Sequence, residues 1–257
     1  MWQHAAPVAF VLFAWWASTG AILYLAGLPE RTHRRSMAIG TLALLLAFAA
    51  LHGLRSANDT AAAYAAFSAV LVIWGWQELG FLLGYVTGPR REPCPSGARG
   101  WRRAGYAFQV VLHHELALLL LGAGVLALVP EHAPPVAWWT FAALWLMRQS
   151  AKLNVFFGVR NLNEQFLPAK VAYVHSYFRQ RPMNALFPAS MLLSVAAAAW
   201  LWRSALASDL AGPERPGLLL VATLLTLGIA EHGLMVLPLP SHALWRCWLP
   251  ERRNRPL

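Results

Sequence analysis

The stretch FQVVLHHELALLLLGAG, Phe108 to Gly124, is apolar almost throughout, yet His113, His114 and Glu115 stand side by side in its middle. A run of this length and composition belongs in the core of a large soluble protein or in the hydrocarbon of a membrane. The two settings treat three adjacent ionisable residues very differently. In lipid, each group needs a partner or a function.

The rest of the chain decides between them. Of 257 residues, 58% are hydrophobic and only 12% are charged, where a soluble domain carries about a quarter charged residues. The deficit is concentrated in seven long apolar runs, roughly 6–25, 37–54, 64–86, 104–129, 135–157, 185–206 and 217–239. Each approaches the ~20 residues that span ~30 Å of hydrocarbon at ~1.5 Å per residue. Backbone in lipid must satisfy its own hydrogen bonds, so these runs read as helices. The first run lacks a basic leader and a small-residue cleavage site, and is read as a retained span. The expected fold is an all-α, polytopic membrane bundle of seven transmembrane helices in a single integral membrane domain, 1–257.

The cations orient it. Eighteen of the 21 Lys and Arg follow the first, third and seventh runs or lie at and after the fifth, in the groups Arg31–Arg35, Arg90–Arg103, Arg148–Arg181 and Arg246–Arg255; only Arg55, Arg203 and Arg215 fall on the other side. The positive-inside rule then places the N-terminus in the periplasm and the C-terminus in the cytoplasm of a bacterial inner membrane. The net charge of +10 is accounted for by this rim and by anionic headgroups, so no nucleic-acid partner is called for. The lipid bilayer is the first partner. Cys94 and Cys247 both fall on the cytoplasmic side and are expected to be reduced.

Polar residues recur at one depth. His114 and Glu115 lie ~15 Å into the fourth run, Gln77 and Glu78 ~12–14 Å from the end of the third, and Glu231 and His232 ~10–12 Å from the end of the seventh. Arg148 and Gln149 in the fifth run sit at a comparable level, with Lys152 shallower. Helices that alternate in direction thus return their polar groups to one layer, an intramembrane cluster of Glu78, His114, Glu115, Arg148, Glu231 and His232. Consecutive helical residues diverge by ~100°, so His113, His114 and Glu115 cannot share a target. Several readings remain open: a structural ion-pair cluster, a metal centre using Glu78, His114, Glu115, Glu231 and His232, a tetrapyrrole pocket with a histidine ligand, or a proton or transport path. Trp15, Trp16, Trp74, Trp76 and Trp145 lie within the runs, either as helix packing or as the lining of an aromatic cavity. Trp138, Trp139, Trp200, Trp202, Trp245 and Trp248 fit interfacial belts. Gly75, Gly80 and Gly84 bracket Gln77–Glu78 and permit close helix approach.

Two internal links stand out. The segment 87–103, TGPRREPCPSGARGWRR, reads as a turn-rich loop with Trp101, Arg102 and Arg103 as an interfacial anchor. In the cytoplasmic loop 158–184, Val171, Val174 and Phe178 form a stripe after Pro168, which predicts a short amphipathic surface helix.

Several motifs, in order, resemble the PuhE family of membrane proteins of purple phototrophic bacteria: FAWWASTGAILYLAGLP (13–29), WGWQELGFLLGYVTGPRREPCP (74–95), HHELAL (113–118), AKLNVFFGVRNLNEQFLP (151–168) and SYFRQRPMNALFP (176–188). The resemblance implies an inner-membrane factor for assembling reaction-centre and light-harvesting complexes, partnered by their subunits or by other assembly factors, with a link to bacteriochlorophyll or its precursor. It implies no established enzyme activity. The residues matching its polar motifs are Glu78, His114, Glu115, Asn154, Asn161, Asn163, Glu164 and Glu231, with Asn154 to Glu164 at the cytoplasmic mouth. A non-enzymatic assembly factor is therefore the expected function; a membrane metalloenzyme acting on a pigment precursor or lipid is the alternative.

Overall fold

A computed structural model describes residues 2–129, 135–162, 167–207, 210, 214–239, 245 and 247–248. Among these residues seven α-helices run in order: α1 Trp2–Gly27, α2 Glu30–Gly53, α3 Thr60–Leu82, α4 Gly100–Ala127, α5 Val136–Phe157, α6 Leu186–Ala205 and α7 Glu214–Val236, with a 3-10 helix, Ala169–Tyr177, between α5 and α6. Among the described residues the extended contacts reduce to an isolated parallel bridge between Val159 and Gln180. Among the described residues six helices are long and apolar enough to cross a membrane. The exception among the seven is α5, where Arg148, Gln149, Lys152 and Asn154 lower the hydropathy of an otherwise apolar segment. Its 22 residues are long enough to cross; its composition is what sets it apart.

α3 is the central strut and packs against α1, α2, α4, α5 and α7. α7 lies beside it, in contact with α1, α5 and α6, so that α2 and α6 flank the bundle. Away from the polar residues the centre is dry: Val11, Phe67 and Leu220 are fully buried, and Val136 and Leu224 complete the cluster that ties α1, α3, α5 and α7. Lipid tails are as apolar as these side chains, so the association rests on packing rather than on escape from water. Close approach serves it. A Cβ at Gly122 would fall 2.7 Å from the Phe141 ring, and one at Gly228 would fall 3.1 Å from Met147.

The boundary of α3 departs from expectation. The apolar run continues to Val86, but the helix stops at Leu82 because Gly84 adopts φ 77°. Gly84 N–H donates to Phe81 O and Tyr85 N–H to Gly80 O, both at 2.9 Å, the paired bonds of a Schellman cap. Gly84 is thus a helix terminator rather than a packing glycine. The chain then doubles back along α4: His114 N–H donates to Thr87 O at 2.8 Å, and a Cβ on Gly88 would lie 1.9 Å from Gln109 O.

The segment expected as an amphipathic helix is the 3-10 helix. Its three-residue turn stacks Val171, Val174 and Tyr177 on one buried face. Phe178, assigned to that face on an α-helical period, is only partly buried. The face packs on Phe81 and Val110, joining the ends of α3 and α4. Arg103, grouped with the interfacial anchor, is in fact buried: its guanidinium lies 4.0 Å from the Phe156 ring centroid and donates to Phe156 O and Tyr177 O. Trp101, two residues earlier, is 92% exposed. The short link 130–134, PEHAP, between α4 and α5 lies outside the described residues.

The Gly88 contact generates a test. Gly88→Ala should lower the melting temperature of the detergent-solubilised protein by about 5 °C or more, since backbone must move to admit the methyl. Gly105→Ala, in α4 with open space around it, should be neutral or slightly stabilising because alanine is the better helix former.

Candidate functional site: an ion-pair layer inside the bundle

Each polar pair on a helix splits between two neighbours. On α3, Gln77 is fully buried and its Nε2 donates to both Nδ1 and the backbone O of His114, at 2.8 Å each. Nδ1 therefore accepts, which leaves the ring proton on Nε2 in the neutral form. The same ring meets Phe81 edge-on at 4.8 Å. One residue further, Glu78 turns to α5 and accepts from Arg148 Nη2 at 2.7 Å.

The same division occurs on α4. His114 faces α3, whereas Glu115 faces α5 and accepts from Gln149 Nε2 at 2.6 Å and from Lys152 Nζ. His113 points out of the bundle and is exposed. On α7, His232 is buried against α5. Its Nδ1 donates to Gly228 O at 3.0 Å, which makes Nε2 the acceptor for Ser150 Oγ at 2.9 Å. Glu231 turns instead to α1 and accepts from Trp15 Nε1 at 2.9 Å.

These contacts form one connected layer. The charges of Arg148 and Glu78 act on Glu231, and those of Arg148, Glu115 and Glu78 act on Lys152. Four helices thus supply alternating signs across the bundle, and α5 provides both cations. The pairs are not sealed: Arg148 and Lys152 side chains are 37% and 25% exposed. Glu78 Oε1, Arg148 Nε and His114 Nε2 are buried atoms with no hydrogen-bond partner among the described residues.

Glu78, His114, Glu115, Glu231 and His232 do not assemble as a metal-ligand set. Among the described residues no three His, Cys, Asp or Glu side chains come together to hold an ion. The cause is angular: adjacent residues on a helix diverge by ~100°, so His114–Glu115 and Glu231–His232 each point to two different neighbours. A tetrapyrrole fits the two inward histidines no better. His114 is 1% exposed, boxed in by Gln77 and Phe81, and both ring nitrogens of His232 are engaged.

The mouth residues stitch the loop to the helix ends. Asn154 is buried and its Nδ2 donates to Ser150 O at 3.0 Å and Ser190 Oγ at 3.1 Å. Asn161 caps α7, donating from Nδ2 to Leu234 O and Leu237 O and from its backbone to Met235 O, carbonyls that a helix end leaves without partners. Asn163 and Glu164 lie outside the described residues. Asn184 escaped sequence reasoning: its Oδ1 accepts from Leu186 N–H and Phe187 N–H while its Nδ2 donates to Asn154 O, Asn154 Oδ1 and Gly158 O. The signal was present, an Asn just before the apolar run of α6. Trp245 and Trp248, assigned to an interfacial belt, fold back onto α1, packing on Trp15 at 5.1 Å and Trp16 at 5.2 Å between ring centroids.

A helical bundle with several spans and ion pairs at its centre defines a multi-pass membrane protein. The chain belongs to a family described as protein of unknown function DUF3623, which it matches over residues 1–256. It is 39% identical over 246 residues to an "uncharacterized 30.4 kDa protein in puhA 5'region" of Rhodobacter capsulatus, covering 93% of this chain and 88% of that protein. No solved structure matches it.

The ion pairs predict asymmetric costs. Glu115→Leu should destabilise the protein by about 3 kcal/mol, because Lys152 is left in the bundle without its counter-charge. Adding Lys152→Met should recover more than half of that loss, read as thermal melting in detergent.

Proposed function

We propose that this protein is a seven-span inner-membrane assembly factor for the photosynthetic apparatus, with the PuhE-like role that its motifs suggest. The observation that carries the reading is the relative in the puhA 5' region of a purple bacterium, similar along nearly the whole chain. That location supports a photosynthesis-related role. The assembly step is the reading that best joins it to a membrane bundle whose polar residues pair with one another.

In this reading α5 is the seventh span. Its polar residues meet α3 through Arg148–Glu78, α4 through Lys152–Glu115 and α7 through Ser150–His232, which offsets the cost of placing them in hydrocarbon. The ion-pair layer holds the bundle in register, and the packed loop beneath it presents a basic surface to reaction-centre or light-harvesting subunits. Bacteriochlorophyll belongs to those partners, rather than to His114 or His232. The five candidate ligands of the metalloenzyme alternative face different ways, which favours the assembly role over it.

Two experiments test this. The orientation requires Cys94, between α3 and α4, to be cytoplasmic. In a Cys247→Ser background a membrane-impermeant maleimide should label it in inverted vesicles and not in right-side-out ones; the reverse pattern would refute the topology. In a deletion strain, membrane absorbance of the reaction-centre and light-harvesting complexes should fall. Wild-type and Glu92→Leu genes should restore it, since Glu92 is an exposed loop residue. Glu115→Leu, at matched protein level on immunoblots, should restore less than half. Unchanged complex levels in the deletion strain would end the assembly reading.

A further inference from the structure

We infer that the exposed surface around Glu231, where α7 meets Trp15 of α1, binds an amphiphilic organic cation. The first argument is charge. In the central layer Glu78 is matched by Arg148 and Glu115 by Lys152. Glu231 has no ion pair among the described residues; it holds one hydrogen bond, from the Trp15 indole. Arg148 acts on it from a distance but is committed to Glu78. Among the described residues the layer sets three carboxylates against two cations, Arg148 and Lys152, and the carboxylate without an ion pair is Glu231.

The second argument is access. His232 is buried, while Glu231, one residue earlier, is exposed although Trp15 of α1 donates to it. At the opposite end α1 and α7 close tightly through Val11, Leu220 and Leu224. The third argument is the rim. Trp15, which donates to Glu231, packs edge-to-face on Trp245 at 5.1 Å, and indoles attract cations most strongly where water is excluded. The exposed Leu237 and Leu239, just beyond α7, offer an apolar surface to the body of the ligand. A carboxylate, two indoles and an apolar flank select a positively charged head on an apolar body. Such a head is available from an aminophospholipid or from a free lipophilic cation.

The inference does not rest on the role in photosynthesis, and either can fail alone. Purified full-length protein in maltoside micelles is titrated with radiolabelled tetraphenylphosphonium, and native mass spectrometry compares adducts of phosphatidylethanolamine and phosphatidylglycerol. Saturable one-site binding is expected. Glu231→Gln, which keeps an acceptor for Trp15, should weaken it at least about tenfold. Glu231→Asp should retain most of it, and Glu92→Gln should leave it unchanged, with melting curves confirming that each variant is folded. Selective phosphatidylethanolamine adducts lost in Glu231→Gln identify a lipid as the source; phosphonium binding without lipid selectivity identifies a free cation. Absence of saturable binding, equal binding by Glu231→Gln, or stronger binding of tetraphenylborate would overturn the inference.

Discussion

An ion in hydrocarbon must find a counter-ion, and in this bundle that requirement determines which helices become neighbours. A lone Arg, Lys or Asp at the centre of a span costs ~2.5–3.5 kcal/mol on insertion scales. α5 carries two cations, and α3 and α4 each carry one carboxylate able to meet them. Arg148–Glu78 and Lys152–Glu115 therefore hold α5 against both. Apolar packing alone would be permissive here, since a leucine is nearly as comfortable against lipid as against another helix. The polar contacts select one register out of many that would pack.

The same layer shows how helix geometry distributes chemistry. Adjacent ionisable residues look like a cluster when written as sequence, and HHE at 113–115 invites a metal or pigment reading. The helix turns ~100° between them, and the three side chains go to the lipid face, to Gln77 and to Lys152. What looks like a ligand set becomes three separate contacts, two of which join helices. The interior is held by pairs, with Glu231 left over at the edge.

Beneath this layer the loops are built as firmly as the helices. The Schellman cap at Gly84 turns the chain back, Gly88 allows backbone to lie on backbone, and the 3-10 helix seals the junction with Val171, Val174 and Tyr177. Arg103 and Asn184 then satisfy carbonyls and N–H groups at the ends of α5 and α6 and in the loop between them. Buried backbone groups need partners wherever they lie, and here much of that need is met from positions far along the chain.

By itself the sequence determined the class. Apolar runs near 20 residues long must be helices in lipid, and polar residues placed repeatedly at one depth form a layer where most can find partners. Both follow from hydropathy and helix rise, which are local. The tertiary structure decided everything that depends on direction: that Glu78 meets Arg148 while Gln77 meets His114, that α3 stops at Leu82 although the apolar run continues, that Arg103 is buried while Trp101 is exposed, and that Trp245 returns to Trp15. The reason is physical. Composition sets how deep a residue lies, but which neighbour it touches depends on rotation about the helix axis and on where the chain reverses, and those are settled only when all the helices pack together.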